Sequence, residues 1–170
     1  YAVSLIVMDG GYGIGNGRVM PAGPLREPAA PALQRASAVV MIGICEKRIE
    51  LGHLPVLTAQ LTPVDADALK GQRVVAFAGI GRPAKFFATL AALGANIVEQ
   101  RGFADHYRFG DSDLQMLDTL AETQSAILVT TEKDWVRLPQ RWREKIRTLK
   151  VALRWDDSAA LNRVLERAHG

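Results

Sequence analysis

Much is missing from this 170-residue sequence, and each absence excludes something. It has a single cysteine, Cys45, which rules out an internal disulfide and fits a reducing compartment. No apolar run approaches the ~20 residues needed to cross a bilayer as a helix. No charged-then-apolar secretory leader precedes the first strand. The pattern GxxxxGK[ST], whose backbone amides cradle nucleotide phosphates, occurs nowhere in it. Internal repeats and low-complexity segments are absent, and so is a strong charge imbalance. A net charge of +3 and a pI near 9.2 suit a phosphorylated ligand or an anionic membrane surface but are too weak to argue for nucleic acid.

What is present is enough apolar content, 48%, to bury a core in one domain or in one domain and part of another. Tyr1 is not Met and Val3 to Met8 already reads as a strand apolar on both faces, so the chain is expected to begin inside a domain. A short helix is expected over Pro31 to Ala36 and a second buried strand over Ala38 to Ile44. The stretch Cys45 to Gly52 turns polar, and Pro55 to Pro63 alternates as an extended strand bounded by prolines. A second block opens with a strand at Gln72 to Ala78, a Gly-Ile-Gly turn and a helix that Pro83 can start. After it come a strand at Asn96 to Gln100, a helix at Asp111 to Thr123 capped by Asp111 or Ser112, and a strand at Ala126 to Thr130. A last strand at Thr148 to Leu153 and a helix at Ser158 to Ala168 complete the pattern. Alternating strands and helices imply a three-layer α/β arrangement, with mostly parallel sheets flanked by helices.

Three stretches can carry chemistry. The loop Gly13 to Pro28, GIGNGRVMPAGPLREP, combines glycines that let a ligand approach the main chain with prolines that keep the loop ordered. Its Arg18 and Arg26 suit phosphate, and Glu27 suits a hard cation; the alternative is a surface crossover whose charges are solvated. At the end of the strand after Asn96, Asp105 beside His106 can orient a ring, shift its pKa or bind metal, or can simply be surface polarity. At the end of the next strand, Lys133 in TTEKDW can face a phosphate or a sugar. Otherwise Thr131 caps a helix whose first turn, Glu132 to Asp134, is salt-bridged. Phe86 and Phe87 are core, and the glycines of the Gly79 to Gly81 turn either point amides at an anion or pack helix on strand. Trp135, Trp142 and Trp155, in and beside the basic tract Arg137 to Arg154, are accounted for mostly by the final strand and helix rather than by nucleic acid.

The strand ending in Asp9 and the following GNGRVMPAGPLREP resemble the tetraacyldisaccharide 4'-kinases, as do FAGIGRPAKFF at Phe77 to Phe87, FADHY at Phe103 to Tyr107 and TTEKDWVRL at Thr130 to Leu138. Order and approximate spacing match, and the resemblance runs from Tyr1 to about Pro139. It implies ATP-dependent phosphorylation of the 4'-hydroxyl of a tetraacylated glucosamine disaccharide 1-phosphate in lipid A biosynthesis, with ATP and Mg2+ as cofactors. It further implies residues 1–53 as the C-terminal part of a P-loop-like nucleotide-binding lobe, 54–63 as an extended linker, and 64–170 as a smaller α/β lobe. The phosphate cradle and the catalytic aspartate are expected upstream of Tyr1, so the chain is expected to be a C-terminal portion inactive alone. By the same resemblance Arg26 sits at the nucleotide, Glu27 helps hold magnesium, His106 with Asp105 beside it assists the catalytic aspartate, and Arg18 and Lys133 face the substrate. Glu27 and His106 are then expected to meet one ligand in a cleft between lobes. The family carries a second histidine where this chain has Tyr107, which leaves His106 intact. The implied partners are the acylated lipid and, through the missing N-terminal part, the inner-membrane surface at its cytoplasmic face, with no nucleic acid. The reading from another class is a non-catalytic α/β module that binds a phosphate ligand; a glycosyltransferase-like α/β enzyme is a third.

Overall fold

The computed structural model describes residues 3–45, 49–64 and 66–167, and the chain divides into two units, Tyr1–Thr62 with Ala152–Gly170 and Pro63–Val151. Each is α/β, with a helix or loop layer on both faces of a mostly parallel sheet. Glu46, Lys47 and Arg48 of the polar stretch, and the expected helix end at Ala168, lie outside the described residues.

In the first unit the strands β1 (Leu5–Asp9), β2 (Ala38–Ile42), β3 (Val56–Pro63) and β8 (Val151–Trp155) lie in that order. The first three are parallel. The last runs against β3, since Asp156 N donates to Thr58 O and Thr62 Oγ1 donates to Ala152 O. Period-two alternation in β2 sends Ala38 and Val40 to one face, where Val164 and Leu161 of helix α6 (Ser158–Glu166) cover them. It sends Val39 and Met41 to the other face, against Leu33 of helix α1 (Ala29–Arg35) and the loop residues Ile14 and Ile49.

Two sequence expectations change here. Strand β1 is not buried on both faces: it is an edge of its sheet, so Ile6 and Met8 pack inward while Leu5 and Val7 stay exposed, Val7 at 62%. Residues 54–63, read as an extended stretch that is either a linker or an edge strand, contain a strand paired on both sides, because the alternating apolar positions Leu57 and Ala59 are buried in the sheet. The final expected strand also splits, since Arg147–Leu149 and Val151–Trp155 belong to different sheets.

The second unit has the sheet order β5 (Asn96–Gly102), β4 (Arg73–Ala78), β6 (Ile127–Thr131), β7 (Arg147–Leu149), all parallel. Strand β4 is fully covered from Val74 to Ala78, as expected of a central parallel strand. On one face Val74, Ala76 and Ala78 meet Phe86, Phe87 and Leu90 of helix α2 (Pro83–Ala92). On the other, Val75 and Phe77 meet Leu114, Leu117 and Ala121 of helix α3 (Asp111–Thr123). Gly110 rather than Asp111 or Ser112 caps α3, its N–H bonded to the Asp113 carboxylate at 2.9 Å. Short helices α4 (Glu132–Trp135) and α5 (Gln140–Arg143) follow β6.

The chain leaves β4 on one side to form β5 and crosses to the other to form β6. This makes a topological switch point, whose carboxyl-end crevice is where open α/β sheets bind ligands. The whole arrangement rests on the α3 face, so Leu114→Ala, at 0% exposure, is expected to destabilise the protein by about 2–5 kcal/mol, read from the midpoint of urea denaturation.

Candidate functional site

At the switch point three loops converge, one from each of β4, β5 and β6. Gly79 follows β4 in a tight position: a Cβ there would lie 3.1 Å from Tyr107 Cβ and 3.3 Å from the Ala104 carbonyl, so the neighbours would have to give by a few tenths of an ångström. Both polar groups of Gly79 are used. Its N–H donates to Asp134 Oδ2 at 3.0 Å, and its carbonyl accepts the His106 N–H at 3.0 Å. His106 stands at φ 61, the left-handed region that costs a residue with a Cβ free energy. The Asp105 carboxylate offsets that cost, because its Oδ1 also accepts the His106 N–H at 3.0 Å.

The side chains presented are those the sequence nominated. Asp105 lies between an imidazole and an ammonium, its Oδ2 3.7 Å from His106 Nε2 and its Oδ1 3.5 Å from Lys133 Nζ. The imidazole is the most open of the three, 70% exposed. A carboxylate, an imidazole and an ammonium in line can accept a proton, stabilise the imidazolium that results, and hold an anionic or hydroxylated ligand. Of the two readings left open for TTEKDW, elements of both are present. Thr131 does cap, its Oγ1 accepting from Asp134 N at 3.1 Å, yet Lys133 turns to Asp105 instead of joining a bridged first turn.

Asp134 was nominated only as part of a polar turn and proves to be the support of the site. It is fully buried, accepts from Gly79 N and from Thr131 Oγ1 at 2.8 Å, and has its charge compensated by Arg137 Nη1 at 3.7 Å. Its signal in the sequence was the Thr-x-x-Asp spacing at a strand end, which reads as an ordinary cap. Tyr107 is also structural. Its ring packs on Phe103 and Phe109, and its hydroxyl donates to Asp113 Oδ2 at 3.3 Å.

The other nominated residues stand on the loop of the first unit. That loop is held by its own main chain: Val19 bridges Leu25, Met20 N donates to Leu25 O at 2.8 Å, and Asn16 ties Arg18 N and the Ala22 carbonyl together. Gly23 is obligatory, since a Cβ would fall 2.3 Å from the Arg18 carbonyl. Arg18 and Arg26 are exposed, and among the described residues neither side chain meets a carboxylate, so both are available to a phosphate. Glu27 has a partner on α1. Its Oε2 is 2.6 Å from Arg35 Nη2, an exposed pair across α1. Among the described residues no three His, Cys, Asp or Glu side chains gather as a metal set; Glu27 offers a single carboxylate, which suits a magnesium ion that takes its other ligands from phosphate and water.

Two outcomes follow from this geometry. Asp134→Ala leaves Arg137 uncompensated and frees the Gly79 peptide; a loss of about 3 kcal/mol is expected, with faster amide exchange at Gly79 and His106 than at α2. For Tyr107, burial lifts the phenol above its ordinary 10.0, helped by the nearby Asp113 carboxylate. The native state therefore holds that proton more tightly than the unfolded chain. Its contribution is complete below pH 10.0 and lost as pH rises through the raised value, and thermal melts of Tyr107→Phe across about pH 9 to 12 should lack that alkaline loss.

The profile of the family described as Tetraacyldisaccharide-1-P 4'-kinase matches residues 1–169. The chain is 47% identical over 170 residues to the tetraacyldisaccharide 4'-kinase of Paramagnetospirillum magneticum, covering 97% of this chain and 52% of that protein. It is 47% identical to the enzymes of the same name from Rhodospirillum centenum, over 96% of this chain and 50% of that protein, and Rhodospirillum rubrum, over 97% and 52%. It thus spans about half the length of the curated relatives it matches. No solved structure matches it. With nearly every residue of the chain inside the match, and the loop, the Asp-His pair and the TTEKDW turn all within it, this chain belongs to the tetraacyldisaccharide 4'-kinase family.

Proposed function

We propose that the chain is part of an ATP-dependent kinase that phosphorylates the 4'-hydroxyl of a tetraacylated glucosamine disaccharide 1-phosphate in lipid A biosynthesis, working at the cytoplasmic face of the inner membrane. The observation that supports it most is the His106 assembly: an open imidazole, backed by a carboxylate and held by two backbone bonds at a switch point, in a chain of a kinase family.

Phosphoryl transfer asks the protein for positioning, for charge neutralisation and for a group that manages the nucleophile's proton. His106 assists removal of the proton from the acceptor hydroxyl, in concert with a carboxylate base outside these 170 residues. Asp105, 3.7 Å from the ring, stabilises the imidazolium formed and keeps the ring turned. Lys133, anchored on the same carboxylate, faces the substrate. Bound ATP supplies the phosphoryl group. Arg26 and Arg18 on the loop, which among the described residues meet no carboxylate, offer it or the acceptor phosphate their guanidinium groups, and Glu27, next to Arg26 in the chain, is paired with Arg35. Glu27 would supply one carboxylate to a magnesium ion, the remaining ligands coming from phosphate and water, and no step is assigned to the ion.

The test compares two neighbours in the full-length enzyme that carries this chain. His106→Ala is expected to lower kcat by roughly 10²–10⁴-fold, the range of lost acid–base assistance, with the KM for ATP little changed. Tyr107→Phe, which keeps the packed ring, is expected to turn over normally. Undiminished turnover in His106→Ala would sink the assignment and favour a module that only binds a phosphate ligand. The 170 residues alone, lacking GxxxxGK[ST], are expected to form no product from ATP and the acylated disaccharide.

A further inference from the structure

The turn that presents Lys133 to Asp105 presents its neighbour Glu132 to a different space, a cavity of about 510 Å3 within the second unit. Cavities of roughly 300–1,000 Å3 are the size that take small organic ligands. The buried part of the lining is hydrocarbon, from Leu69, Ile146 and Leu149, with the Trp135 ring beside them. The indole N–H is already satisfied by the carbonyls of Arg143 at 3.1 Å and Ile146 at 3.2 Å, so Trp135 offers the cavity only an apolar face.

Charge distinguishes this cavity from a packing defect. Three of the seven cations of the basic tract Arg137 to Arg154 have acidic partners: Arg137 has Asp134, Arg141 has Asp111, and Lys145 has Asp118. Among the described residues the three that line the cavity have none. Among the described residues Arg147 and Lys150 meet no carboxylate. Arg143 lies 5.2 Å above the Trp135 ring and donates to the Val136 and Leu138 carbonyls and to Gln140 Oε1, and among the described residues it meets no carboxylate. Glu132 is the lining's one carboxylate, and it accepts the Val151 N–H at 3.4 Å. Three cations against one carboxylate over an apolar floor complement an anion on a hydrocarbon chain.

We propose that this cavity binds a single aliphatic chain ended by a phosphate or carboxylate, the chain against Trp135 and Leu149 and the head group at Arg147 and Lys150. The proposal stands apart from the kinase reading, since it uses none of His106, Asp105 or Lys133.

The purified chain is titrated with dodecyl phosphate below its micelle-forming concentration, with isothermal calorimetry and the Trp135 indole N–H resonance as readouts. Saturable one-to-one binding that moves this resonance is expected. Inorganic phosphate and uncharged dodecyl maltoside should each bind at least tenfold more weakly. Charge reversal at Arg147→Glu with Lys150→Glu should weaken dodecyl phosphate at least tenfold. Val136→Asp, at a side chain 59% exposed and outside the core, should do the same by placing a carboxylate at the lining. Dodecanoate run in parallel identifies the head group, either order of affinity supporting the class. Equal affinity in the charge-reversed chain, equal affinity for the maltoside, or no saturable shift at Trp135 would overturn the proposal.

Discussion

A single buried carboxylate organises the candidate site. Asp134 sits at the end of β6, yet its hydrogen bonds fix the turn that ends β4, and that turn's carbonyl fixes His106 on the loop that ends β5. Burying a charge is costly unless it is paired and hydrogen-bonded; here two donors to Oδ2 and Arg137 at 3.7 Å offset part of that cost, while Oδ1 and Arg137 Nη1 face each other without a hydrogen bond. In return the loops gain a rigidity that their own sequences do not provide. His106 can then remain 70% exposed at a left-handed backbone angle without the loop relaxing, as a group that must meet a ligand in one orientation requires.

This support works only because of the sheet beneath it. Strand β4 is buried on both faces and pinned between α2 and α3, so the peptide of Gly79 leaves the core in a fixed direction. Interiors packed this densely do not deform by small amounts, and the position of Gly79 is accordingly a property of the whole unit. The loop of the first unit achieves order differently, through main-chain bonds around Gly23 and Asn16 rather than through burial. It leaves Arg18 and Arg26 in solvent, where a guanidinium keeps its charge and can be recruited by phosphate.

The helix over Asp111–Thr123 was legible to the residue, because Leu114, Leu117 and Ala121 recur at helical spacing between polar neighbours. The strand at β1 was legible as a strand but not in its exposure: four apolar residues in a row look the same whether the second face is covered or open. The pair of β7 and β8 was read as one strand, since only Lys150 separates them and nothing local marks a change of sheet. Among the site residues, Asp105, His106 and Lys133 announced themselves by chemistry at strand ends. Asp134 did not, because a cap and a clamp have the same spelling. The Arg35 partner of Glu27 was invisible for a similar reason, being eight residues away with α1 between.

By itself the sequence determined the alternation of strands and helices, the class of fold, the loops that carry chemistry and, through four motifs in order, the family. These are encoded in periods of two and of 3.6 residues and in short runs of particular side chains, all of them local. Only the tertiary structure decided that β4 lies between β5 and β6, that Val56–Pro63 belongs in a sheet, and that a buried aspartate from one strand end holds a histidine on another. Parallel strands are paired across crossovers of a dozen or more residues, and which strand lies beside which is settled by burying both faces at once, a condition on the whole unit that no short stretch contains.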